Sequence, residues 1–293
     1  MDTPRIEGAE ALIVLAENRY GKSRVRLVRV KRHADRHDFS EWQVQVLLQG
    51  DFTSCFEDGD NSKILATDTM KNTVYSVARD TTAENIEEFA KELVEFLLGK
   101  HSQVSQAEVS VEQKMWEHLA VQGEPHPTTF VNSSGERQTT TVSRSQGGAF
   151  SIVSGLENLV IMKTAGSAFE GFIRDPLTTL PEASDRLFGT AVKAKWSYKA
   201  SELDFSRLRI NIREALLEVF AVHNSKSVQH TLFAMAEHVL NTVPEVEDVE
   251  LTMLNKHCLL VDLSRFGQSN PNEIFVPIDE PHGYIEARVT RQR

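Results

Sequence analysis

The run Leu65-Ala66-Thr67-Asp68-Thr69-Met70-Lys71-Asn72-Thr73-Val74-Tyr75 packs hydroxyls, a carboxylate, an ammonium and an amide into what should be an ordinary strand-to-helix junction. Ile64 to Ala66 ends an extended apolar stretch, Thr67 or Asp68 suits a helix N-cap, and Val74, Tyr75 and Val77 continue at roughly helical spacing. Thr67 and Asp68 therefore sit where backbone N–H groups point outward. Such a terminus serves either as a plain cap or as an anion site.

A second candidate lies near the C-terminus, where the odd-numbered positions from Val249 to Leu263 are apolar except for Asn255 and His257. On a continuous strand those two would break a buried stripe, at roughly 1–3 kcal/mol each if left unpaired. A tight turn at this point is the competing reading. Near the start, Ala11 to Ala16 followed by Tyr20-Gly21-Lys22-Ser23 mimics a phosphate-binding loop, but Ala16 stands where such a loop needs glycine. Val25 to Val30 then reads as strand rather than helix, so nucleotide hydrolysis is excluded. His33 and His37 have ligand-like spacing in a charged loop without the glutamate of a zinc protease, and His223, His230 and His238 have ordinary polar neighbours. No metal site, nucleophile elbow or dinucleotide fingerprint is expected.

Several pieces together resemble the urate oxidase family. The Thr67 run resembles its Thr-Asp-Ser/Thr-x-Lys-Asn-Thr motif, and Tyr20-Gly21-Lys22 with Val25-Arg26 resembles its N-terminal motif. Gly171-Phe172-Ile173-Arg174-Asp175 with Thr178-Thr179-Leu180 resembles its central loop. Asp185-Arg186, Ser227-Val228-Gln229 and Asn255-Lys256-His257 resemble its later site motifs, so the likeness runs from about Tyr20 to about Leu263.

The resemblance implies oxidation of urate by molecular oxygen and water to 5-hydroxyisourate and hydrogen peroxide, with no metal or organic cofactor. It implies a relay of Lys22, Thr67 and His257, with Asp68 orienting the Thr67 end. Lys22 would need a pKa lowered by burial or a neighbouring charge to serve near neutral pH. Arg186 and Gln229, a planar fork and a planar amide, would grip the carbonyl and ring-nitrogen edge of the urate anion. Phe169 would stack on it, Leu180 and Val228 would shape the pocket, and Asn255 would hold the oxygen or water position. Glu170 stands where fungal relatives commonly have tryptophan. The alternatives are another purine or pterin enzyme of the same fold, or a binding protein with a dead site.

At 293 residues the chain suits two units of about 100–150 residues. Its 40% hydrophobic and 25% charged content is ordinary for a globular protein, and a net charge of −10 disfavours nucleic acid as a general partner. Cys55 and Cys258 lie far apart, which supports neither a disulfide framework nor a cysteine metal site. No export signal or membrane span is evident, and Arg291-Gln292-Arg293 departs from a Ser-Lys-Leu peroxisomal ending. A cytoplasmic enzyme is expected.

The elements that must position these residues follow from pattern. Val25–Val30 and Trp42–Leu48 read as strands around a polar loop from His33 to Ser40. A capping box of Thr81 and Glu84 opens a helix with the stripe Ile86, Phe89, Leu93 and Leu97, closed by Gly99. Val104–Trp116 returns to strand. The order then repeats: strands near 138–145 and 149–163, joined by a Gly147-Gly148 hairpin, a loop-rich insert, and a strand near 190–198. Helices near 205–222 and 228–243 follow, the second ended by Pro244, and two final strands close the chain. Two antiparallel sheets with a helix pair on one face each give an α+β class. The halves are expected at 1–146 and 147–293. The resemblance implies that these are tandem tunnelling-fold (T-fold) modules, whose sheets close into a barrel in a homotetramer with active sites between subunits.

Overall fold

The computed structural model describes residues 13–132, 134–278 and 280–292; Ala11 and Leu12 of the Ala11–Ala16 stretch and the terminal Arg293 lie outside the described residues. The chain opens with β1 (Tyr20–Arg32), β2 (His37–Gly50), the short α1 (Thr53–Glu57), α2 (Thr67–Asp80) and α3 (Ile86–Lys100). There follow β3 (Val104–Lys114), β4 (Glu117–Val121), β5 (Glu124–Val131) and β6 (Arg137–Ser145). The second half contains β7 (Ser151–Lys163), β8 (Phe188–Tyr198), α4 (Phe205–Val222), α5 (Val228–Thr242), β9 (Val246–Leu260), β10 (Phe275–Ile278) and β11 (Tyr284–Thr290).

The two expected sheets are continuous. Antiparallel strands run in the order β1-β2-β3-β6-β7-β8-β9, with β6 pairing β7 from Arg137↔Glu157 to Ser143↔Ser151. The outer side of β9 is shared by β11, along Asp248–Leu254, and β10, along His257–Leu260. Period-two alternation decides which face is covered: Trp42, Val44, Val46 and Leu48 of β2 are buried, and the helices pack on that face to form one apolar cluster. Gln43, Glu112, Thr139, Lys195 and Glu250 belong to one row of paired positions across the opposite face. A buried ion pair ties the halves together. Arg209 of α4 donates to Glu87 of α3 at 2.7 Å and to the carbonyls of Gly155 and Thr139 at 2.9 and 2.6 Å.

Several local expectations are corrected. The N-cap of α2 is Ala66, with Thr67 the first helical residue, because the Asp68 carboxylate is engaged by Lys71 and Asn72. Helix α3 is capped by Asn85, whose side chain accepts from Glu88 N–H at 2.9 Å; Thr81 instead terminates α2 and accepts from Ala83 N–H. Gly99 lies inside α3, which continues to Lys100. The loop after β1 is shorter than His33–Ser40, since Arg32 pairs directly with His37. The β4–β5 hairpin, α1 and the short β10 add to the expected elements, whereas Gly147, at φ +71°, does form a turn between β6 and β7.

Candidate active site

The first group of candidate residues sits where α2 packs on β1. Gly21 is forced by close approach: a Cβ there would lie 1.8 Å from the Val46 carbonyl oxygen on β2. Just beyond, a bulge between Lys22 and Val25 places Arg24 at φ +57°. The Tyr20 phenol donates to the Leu65 carbonyl at 3.1 Å and accepts from the Leu65 N–H at 2.8 Å. Burial raises the Tyr20 pKa, so its hydroxyl stays protonated at neutral pH. Lys22 and Thr67 are half-buried. The Asp68 carboxylate is held below its usual range by the hydrogen bond and charge of Lys71, with smaller help from Asn72 and from the charge of Lys22. Its hydrogen bonds thus run along α2 to Lys71 and Asn72.

The second group is built around the irregular segment between β7 and β8. Phe169 and Ala183 exchange backbone hydrogen bonds at 2.8 and 3.1 Å, and Ala168 N–H reaches Ser225 on the loop before α5 at 2.8 Å. Asp185 accepts from Ser167 N–H at 3.0 Å, while Arg186 N–H donates back to Ser167 at 2.8 Å. The Arg186 guanidinium therefore lies 5.0 Å over the Phe169 ring, which also stacks with Phe172 at 4.8 Å. Burial lowers the Arg186 pKa from its ordinary value, but arginine remains charged at neutral pH.

Leu180, Arg186, Val228, Asn255 and His257 line one cavity of about 520 Å³. Strand β9 is continuous through Asn255 and His257, which excludes the tight turn. β9 leaves the core after Met253, so neither residue is fully buried and the cost of breaking the stripe is confined to one Asn255 side-chain atom. Asn255 N–H donates to the Gly283 carbonyl at 2.9 Å, and its side-chain Oδ1 is buried with no hydrogen-bond partner among the described residues. Gln229 is exposed on the first turn of α5, beside cavity-lining Val228 and after the N-cap Ser227, which accepts from His230 N–H at 3.1 Å. Phe275 and Asn272 complete one wall; the polar, loop-rich sequence around them carries no periodic signal.

Lys22, Thr67 and Asp68 do not line this cavity. Six strand spacings separate β1 from β9 in the sheet order, roughly 29 Å at about 4.8 Å per spacing. The ten candidates thus fall into two groups toward opposite ends of the strand order. Among the described residues no group of three or more His, Cys, Asp or Glu is arranged to hold a metal ion.

Known proteins give this chain a family. The "Uricase" family model matches residues 18–143 and 152–286, covering both halves. The chain belongs to the uricase family. Uricase from Arthrobacter globiformis is 39% identical over 280 residues, spanning 96% of this chain and 91% of that protein. Uricase from Dictyostelium discoideum is 38% identical over 282 residues, spanning 96% and 98%. The crystal structure of the Arthrobacter uricase superposes with a TM-score of 0.90 at 38% identity, covering 96% of each chain. Urate oxidase from Bacillus sp. TB-90 superposes at 0.82 with 25% identity, over 94% of this chain and 100% of that one. The fold is the α+β tandem T-fold of uricases.

Proposed function

We infer that the chain is a urate oxidase that converts urate, oxygen and water to 5-hydroxyisourate and hydrogen peroxide within purine degradation. The observation that carries this reading is the convergence of Arg186, Asn255 and His257 on one cavity in a chain matching the uricase family along nearly its whole length. Arg186 and Gln229 grip the urate anion at its carbonyl and ring-nitrogen edge, with charge assistance from Arg186 giving the larger share. A flat ring held by that guanidinium lies against Phe169, while Leu180 and Val228 shape the pocket. Asn255, with an unpartnered side-chain oxygen, holds oxygen or water above the ring.

Lys22, Thr67 and His257 move protons between substrate, peroxide and water. The distance between the two groups supports a second copy as the donor of Lys22, Thr67 and Asp68. The assembly we propose is a homotetramer of subunits divided into modules 1–146 and 147–293, its bare polar sheet faces lining the tunnel. Initial rates of urate loss, with peroxide measured in parallel, test the reading: one peroxide per urate is expected, before and after exhaustive chelation. Urate binding without turnover would indicate a binding protein instead. Turnover abolished by chelation and restored by a metal would indicate a different T-fold chemistry.

A further inference from the structure

We propose that Tyr20 is a positioning residue for proton transfer, its phenol fixing the Thr67 hydroxyl relative to the Lys22 ammonium. This inference rests on the relay proposed above. Tyr20 and Lys22 lie two positions apart on β1 and so point to the same face. Leu65 and Thr67 lie two positions apart where the chain enters α2. One hydroxyl closes this bracket, accepting the Leu65 N–H at 2.8 Å and donating to the Leu65 carbonyl at 3.1 Å. Because both polar groups of one peptide-linked residue bind the same oxygen, Leu65 is restrained in orientation as well as in distance.

The ring that carries the hydroxyl is itself fixed. It meets fully buried Phe52 edge-on, with centroids 4.8 Å apart and planes at 87°. Gly21 lets β1 lie close against β2, since a Cβ there would meet the Val46 carbonyl. No side chain caps the start of α2, because the N-cap is Ala66. The phenol therefore supplies positional control that a side-chain cap would otherwise give to the first turn. A relay is sensitive to that control, since misplacement by about 1 Å can cost on the order of a hundredfold in rate.

The test compares Tyr20→Phe, Thr67→Ala and the double variant in the full-length assembled protein. Turnover is expressed per binding-competent site, counted by stoichiometric binding of a non-oxidisable xanthine analogue, so that misfolded protein does not contribute. Tyr20→Phe keeps the ring on Phe52 and removes only the hydroxyl. It should lower kcat by about ten- to a hundredfold and leave KM for urate within about twofold, as expected when geometry rather than grip is lost. If Tyr20 acts through Thr67, the double variant should be no slower than Thr67→Ala alone. Multiplication of the two defects, or a Tyr20→Phe kcat within about twofold of the parent, overturns the positioning role. Full turnover by Thr67→Ala would instead overturn the relay reading, and the inference with it.

Discussion

Replacing Arg186 with alanine removes the guanidinium that lies over Phe169 and lines the cavity, and leaves the loop's backbone bonds to Ser167 and Ser225 in place. What disappears is charge-assisted hydrogen bonding to a bound anion, worth about 1.5–3 kcal/mol. At about 1.4 kcal/mol per tenfold, KM for urate should rise by roughly 10- to 150-fold. Grip on the purine edge acts on ground and transition states alike, so kcat should stay within about threefold. Initial rates from the loss of urate's ultraviolet absorbance, taken across a wide urate range, separate the two constants. Equilibrium binding of a non-oxidisable xanthine analogue should weaken by a comparable factor. An unchanged KM with kcat reduced tenfold or more would place Arg186 in the chemical step and refute the division between grip and relay.

Arg209→Met should destabilise the protein by about 3–5 kcal/mol in urea unfolding, because Glu87 is left charged and fully buried. Glu87→Leu with Arg209→Met should recover most of that loss, and equal damage in the double variant would contradict the account. Burial pushes the Tyr198 pKa up to about 12, so the folded state keeps a proton that the unfolded chain releases near pH 10. Stability should therefore fall by on the order of 2–3 kcal/mol as pH rises from about 10 to about 12; that alkaline loss should be smaller by this amount in Tyr198→Phe. Gly21→Ala should lose most turnover along with the β1–β2 register near Lys22, since its methyl group meets the Val46 carbonyl; retention of full activity would show that β1 can shift without consequence.

The helices and central strands were legible because their burial is periodic. The stripe Ile86, Phe89, Leu93 and Leu97 is buried in α3, and the alternation of β2 survives intact. The β4–β5 hairpin was not legible: it pairs only with itself, has little buried surface and carries Pro125 and Pro127. The Ala66 cap was hidden because Asp68, the better capping residue by type, finds Lys71 and Asn72 one turn along its own helix. Among site residues, parity singled out Asn255 and His257, but it could not show that β9 emerges from the core just before them. The separation of Lys22 from His257 is a property of strand order, and strand order depends on contacts remote in sequence.

That separation makes one measurement decisive for a site built from two subunits. Inactive Lys22→Ala and weakened Arg186→Ala proteins, both assayed at urate well below the parent's KM, are unfolded together and refolded as an equal mixture. If the first half of one chain completes the second half of another, random pairing leaves an intact first half opposite an intact second half in about a quarter of sites. Activity should recover to about a quarter of the parent's at the same urate concentration, while Lys22→Ala refolded alone stays inactive and Arg186→Ala refolded alone stays at about a tenth or less. No recovery, with mass spectrometry showing mixed oligomers, would mean that each site belongs to a single chain and would contradict the account.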